Sequence, residues 1–75
     1  MKNNNRIVTV FRTSVTKKRL AESLKKEILP YSNVMNCNFD LMDCDNILRI
    51  ESNANISEKV IALLNEKGFL CEELI

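Results

Sequence analysis

The sequence predicts a small α+β domain of strand, helix, strand, strand, helix, strand order. This is the ferredoxin-like βαββαβ sandwich, a four-stranded antiparallel sheet with two helices on one face. Three observations carry the prediction. Strand-like runs alternate with two helical stripes along nearly the whole chain, a polar turn joins the middle two strands, and no linker, repeat or low-complexity segment interrupts the order. The 75 residues suffice for one domain, placed at residues 6–75 after a polar, disordered segment at 1–5.

Residues 6–15 (RIVTVFRTSV) are rich in β-branched side chains and read as the first strand. Its buried face is ambiguous: Val8 and Val10 form one alternating set, and Ile7, Thr9 and Phe11 the other. Thr16 is the expected N-cap of the first helix. Ala21, Leu24 and Ile28 fall at i, i+3 and i+7 with Leu20 beside them, while Lys17, Lys18, Arg19, Lys25 and Lys26 fill the remaining positions. Pro30 stops the helix, because the residue before proline avoids the α region.

Residues 34–41 alternate, with Met35, Cys37, Phe39 and Leu41 predicted inward and Asn36, Asn38 and Asp40 outward. Residues 43–46 (DCDN) are turn chemistry, short polar side chains that bond nearby backbone and tolerate left-handed geometry. Residues 47–52 return as a strand, Leu48 and Ile50 inward, Arg49 and Glu51 outward. After a loop at 53–55, Ser57 is the expected cap of a second helix with Val60, Ile61, Leu63 and Leu64 on its apolar side. Gly68 stands as that helix's C′ residue, and residues 69–75 (FLCEELI) are the last strand. Two right-handed crossovers joined by a hairpin leave the opposite sheet face open.

Composition narrows the function classes. Hydrophobic content of 45% and charged content of 28% are globular values. Eleven basic against ten acidic residues give a net charge of +1, so no whole-molecule field attracts nucleic acid or an anionic membrane. With no tryptophan and 5% aromatics, base-stacking platforms are scarce. The chain has no histidine, no nucleophile elbow and a single glycine, so neither the commonest general base nor a phosphate-cradling loop is available. Ser14 and Lys17 lie close in sequence but have no third, orienting group. No enzymatic activity and no cofactor are expected. Three cysteines, an odd number, together with a polar start lacking a signal-peptide core, point to a reduced cytoplasmic protein. No apolar run approaches the ~20 residues of a membrane span.

Three stretches carry a family resemblance: residues 37–41 (CNFDL), residues 48–51 (LRIE) and the helix ending at 65–69 (NEKGF). With the strand lengths and hairpin position, the chain from about residue 7 to 74 resembles the heavy-metal-associated domain of copper chaperones and metal-pumping ATPases. The resemblance implies a Met-x-Cys-x-x-Cys loop between first strand and first helix, whose thiolates hold Cu(I) or Zn(II). Here Lys17 and Leu20 stand at the two cysteine positions, and Ser14 replaces the loop glycine. The resemblance therefore carries the fold without its metal chemistry: a degenerate metal-binding domain.

Several residues remain as candidates. Cys37 reads as a small core hydrophobe, Cys44 as an exposed turn thiol between two aspartates, and Cys71 as a last-strand residue near the open face; relocated onto these three, a metal site is the alternative function. Asp40, Asp43 and Asp45 read as a solvated turn rather than an oxygen-ligand loop. Lys17, Lys18 and Arg19 crowd a helix N-terminus, where the helix dipole disfavours cations; they are either a solubilising face or a contact for an acidic protein partner or a phosphate-bearing ligand. Met42 and Ile47 flank the hairpin outside the inward set, and Phe69 or Cys71 could join an apolar patch on the open sheet face. That patch would suit a protein partner or pairing of two copies. The main expectation is thus a small non-catalytic binding or adaptor domain.

Overall fold

A computed structural model describes residues 6–42 and 44–74. The expectations for residues 1–5, for Asp43 in the turn and for Ile75 in the last strand fall outside that set. The described elements run β1 (Ile7–Thr13), α1 (Lys18–Ile28), β2 (Val34–Asp40), β3 (Ile47–Ser52), α2 (Ser57–Glu66) and β4 (Cys71–Leu74). The strands form one antiparallel sheet in the order β2-β3-β1-β4. The ferredoxin-like arrangement is thereby established.

Period-two alternation and a one-sided core decide which residues enter. On β1 the buried set is Thr9, Phe11 and Thr13, which settles the ambiguity; Val8 and Val10 point to the open face. Phe11 stands opposite Leu48, which stands opposite Phe39, giving one apolar row across three strands. Ala21, Leu24 and Ile28 of α1 and Val60, Leu63 and Leu64 of α2 close over this row with Cys37, Ile50 and Ile56. Both helices therefore cover the same face. Truncating a fully buried phenylalanine such as Phe11 removes about 3–5 kcal/mol, a large share of the stability of a domain this small.

The structure corrects several local expectations. β1 ends at Thr13, and Val15 leaves the strand to plug the core with no exposed surface. The N-cap of α1 is Lys17, not Thr16, and no side chain caps that end. Ser57 is the first residue of α2 rather than its cap: Ile56 holds the cap position, and Asn55 Oδ1 accepts the Ser57 N–H at 2.9 Å. Met35 does not point inward. A register shift between Val34 and Asn36 leaves it as an extra residue on β2, 49% exposed, while Val34 packs on the core. Leu41 lies beyond β2 but still packs on the core. Phe69 and Leu70 precede β4, and Phe69 and Cys71 pack on the core rather than joining the open face.

Turn chemistry follows from the scarcity of glycine. Asn33 (φ 78°) and Asn46 (φ 49°) take left-handed positions, which asparagine tolerates better than most residues. Gly68 (φ 92°) ends α2 in a Schellman arrangement, with Phe69 N–H to Leu64 O at 2.9 Å and Gly68 N–H to Asn65 O at 3.0 Å. A Cβ placed there would meet no atom within 4 Å, so the constraint is conformational. Gly68→Ala should accordingly lower stability by about 1 kcal/mol through the left-handed penalty alone. Urea unfolding should show a lower midpoint at unchanged slope; an unchanged midpoint would contradict the φ assigned to this residue.

Candidate functional site

The fold brings the β1–α1 loop, the β2–β3 hairpin and the approach to β4 to one end of the molecule, and hydrogen bonds fasten them together. Thr13 Oγ1 donates to Asn46 O at 2.8 Å and accepts the Val15 N–H at 3.1 Å, while Thr13 N donates to Asp45 O at 3.2 Å. Ser14 N donates to Leu70 O at 3.2 Å, and Ser14 Oγ accepts the Leu70 N–H at 2.9 Å. The Ser14 hydroxyl is thus engaged by backbone and is not aimed at Lys17.

This is the end at which the family resemblance would put metal ligands, and the residues there do not fit a soft cation. Lys17 is exposed at the start of α1, and Leu20 sits on the outer side of the helix with Phe69 in a groove toward Lys67. An ammonium and an isobutyl group offer no thiolate or imidazole donor. The three cysteines are free, and the sheet keeps them from converging. Cys37 is buried on β2 and Cys71 half-buried on β4, the opposite sheet edges, three interstrand steps or roughly 14 Å across the sheet and, by register, four residues apart along it. Cys44 is exposed on the hairpin, and β1 stands between it and Cys71, because Thr13 bonds the turn on one side and pairs with Cys71 on the other. Among the described residues no three histidine, cysteine or acidic side chains gather as a metal would require. Asp40 instead accepts the Met42 N–H at 3.1 Å, and Asp45 lies 3.8 Å from Arg12.

The predicted binding residues fall in two places. Lys17, Lys18 and Arg19 are exposed on the first turn of α1, with no acidic residue in that turn and no ion pair among the described residues. Lys25 has a loose partner, Glu22 at 4.0 Å. Met42, 96% exposed, projects from the hairpin next to this helix. Between α1 and β2 runs an open trough of about 310 Å³, with Ala21, Phe39, Leu41 and Met42 as its apolar lining and Lys18, Glu22 and Lys25 at its side. Sequence reasoning missed the trough because Phe39 and Leu41 read as core. Both are half-buried, packed on the core from one side and open on the other.

Ile47 behaves differently from the expectation of an exposed residue. It does lie on the open sheet face, opposite Arg12 and Asp40, but these neighbours cover it to 8% exposure. Across this face, polar and apolar side chains alternate. Val8 lies opposite Glu51, and Val10 lies between Arg49 and Leu74. Arg12 pairs with Glu72 at 3.0 Å, and Arg6 with Glu51 at 3.4 Å. Such exposed pairs contribute little stability, but they neutralise the charge of the face.

No protein-family model, curated protein or solved structure matches this chain. No helix among the described residues is long and apolar enough to cross a membrane.

Burial pushes the Cys37 thiol up to about 11, with Lys25 pulling slightly the other way, and pushes Cys71 to about 11 as well. Near neutral pH, iodoacetamide should therefore modify Cys44 first, leaving Cys37 and Cys71 slow, as read by intact mass. Equal rates at all three would contradict the burial. Both thiols ionise near 9.0 when unfolded and near 11 when folded, so their contribution to stability is present below pH 9 and is lost as pH rises from 9 to 11. Denaturation curves across that range should show the loss, and it should shrink in Cys37→Ala.

Proposed function

We propose that this chain is a degenerate heavy-metal-associated domain acting in the cytoplasm as a small non-catalytic binding or adaptor domain for a protein partner. The observation that carries the reading is the set of cations Lys17, Lys18 and Arg19, without an ion pair among the described residues, beside the exposed Met42 at the end where the family would hold its metal. Three cations at a helix N-terminus oppose the helix dipole, so their placement costs the isolated domain some stability. A binding role is the compensating use. The absence of histidine and the engagement of the Ser14 hydroxyl by Leu70 support a non-catalytic role.

The competing reading is a metal-handling protein built on Cys37, Cys44 or Cys71. Titrating the reduced protein with Zn(II) and Cu(I) against a colorimetric competitor separates the two. The binding-domain reading expects no stoichiometric uptake tighter than about micromolar. Tight uptake lost in Cys44→Ser or Cys71→Ser would defeat it.

Self-association through the open sheet face is a second reading, favoured by Val8, 49% exposed, with Val10 and the half-buried Leu74 close by on the same face. Pairing of two faces would bury them. Sedimentation velocity at high micromolar concentration should show a dimer that Val8→Lys converts to monomer; a monomeric parent chain would rule this reading out.

A further inference from the structure

β2 is the outer strand of the sheet, so one side of its backbone has no neighbouring strand. The Cys37 N–H is taken by Asn36 Oδ1 at 2.9 Å, so the backbone groups of Cys37, Phe39 and Leu41 face outward, while those of Asn36, Asn38 and Asp40 face β3. The strand has no lysine, arginine or proline, the residues that most often close an edge to pairing. Exposed hydrophobic side chains stand at both of its ends, Met42 at one and Met35 with Leu29 at the other. Along α1, Lys18, Glu22, Lys25 and Leu29 fall at i, i+4, i+7 and i+11, the stripe that borders the trough beside this edge. α1 runs antiparallel to β2, with Lys18 toward the hairpin, Glu22 beside Phe39, and Lys25 close enough to Cys37 to act on its thiol.

This edge is complementary to itself. A two-fold axis opposes a surface to its own copy, so each residue meets another residue of the same strip. An axis through Asn38 sets Phe39 opposite Cys37 of the second copy, both on the helix side of the sheet. It also brings the Leu41 and Met42 end of each edge to the Leu29 and Met35 end of the other. Asp40, the one charge on β2, falls opposite Asn36, whose amide donates to it. Glu22 to Lys25 spans about 4.5 Å of helix and Phe39 to Cys37 about 6.6 Å of strand, so the same axis sets Glu22 against Lys25 of the second copy, twice. Within one chain that pair is loose, at 4.0 Å. The neighbouring registers lack this match. An axis through Phe39 sets Lys18 against Lys25, and one through Asp40 sets two carboxylates face to face.

We propose that two copies of this chain pair antiparallel along their β2 edges, about a two-fold axis at Asn38, into one continuous sheet with α1 against α1. The Cys37 N–H then exchanges Asn36 Oδ1 for the Phe39 carbonyl of the second copy. The axis uses up β2 in both copies, so assembly stops at two. The contact is short, which places the dimer among weak, reversible ones. The proposal goes beyond the binding-domain reading and needs no foreign partner. The β2 edge and the open sheet face are rival seats for a second copy, and Val8→Lys tells them apart.

The test is a charge exchange read by sedimentation velocity and NMR on the full chain, with reductant present so that no Cys44 disulfide forms. Between about 10 μM and about 1 mM the parent chain should pass from monomer to dimer. Its ¹⁵N amide shifts should move with concentration at Cys37, Phe39 and Leu41 and stay fixed at Val8 and Val10. Glu22→Lys and Lys25→Glu should each raise the dissociation constant at least about tenfold, about 1.4 kcal/mol. An equimolar mixture of the two variants should pair again, because the axis then opposes two lysines of one copy to two glutamates of the other. The double variant Glu22→Lys/Lys25→Glu should also regain the dimer, and Val8→Lys should keep it. Melting curves at low concentration check that each variant folds. Several results would overturn the proposal: a monomer at about 1 mM, a mixture that pairs no better than its components, or a dimer that Val8→Lys abolishes while the β2 amides stay fixed. A monomeric chain leaves the binding-domain reading standing, since the metal titration tests that reading separately.

Discussion

The pairing of β1 with β3 at the centre of the sheet sets the position of everything else. Phe11 faces Leu48 and Thr9 faces Ile50, so both central strands turn their apolar sets to the same side. A slip by one residue would carry Val8 and Val10 inward and expel Phe11, exchanging a filled core for a cavity lined by smaller side chains. Because α1 and α2 both close on the Phe11–Leu48 row, the register of two strands also fixes where two helices lie. The core is small, and its specificity comes from this one alignment more than from any single contact.

That alignment delivers Thr13 to the point where three connections meet. Its hydroxyl serves the hairpin and the turn into α1 at once, and neighbouring Ser14 secures the approach to β4. Backbone and small hydroxyls hold this end of the molecule, and Arg12 adds ion pairs to Asp45 of the hairpin and Glu72 of β4. The side chains of Lys17, Lys18, Arg19 and Met42 make no hydrogen bond or ion pair among the described residues, which is the physical basis for treating them as contact residues. Ile47, expected to belong with them, is instead occupied in covering the sheet beneath Arg12 and Asp40.

The element order, the Ala21–Leu24–Ile28 stripe, the hairpin and the Gly68 helix end were legible because each depends on neighbours a few residues away. The buried face of β1 was not. Its two candidate faces carry similar β-branched residues, and the choice rests on partners such as Asn46, 33 residues distant from Thr13. The bulge at Met35 was hidden for a related reason: alternation in β2 continues through it in sequence but not in space. At the candidate site, the cations and Met42 could be read as exposed. The trough could not, because a half-buried phenylalanine looks in sequence like a buried one.

The two borders of the sheet are defended in different ways. β4 is four residues long and carries Glu72 and Glu73, which makes it short and anionic. β2 is longer but is interrupted by the Met35 bulge and by Asn36 folding back onto its own backbone. Neither border offers the long, flat, uncharged run from which one chain could template the next into a growing fibril. For a small protein with a modest core and transient openings to be expected, that geometry keeps misassembly from becoming a competing fate of the chain at high concentration.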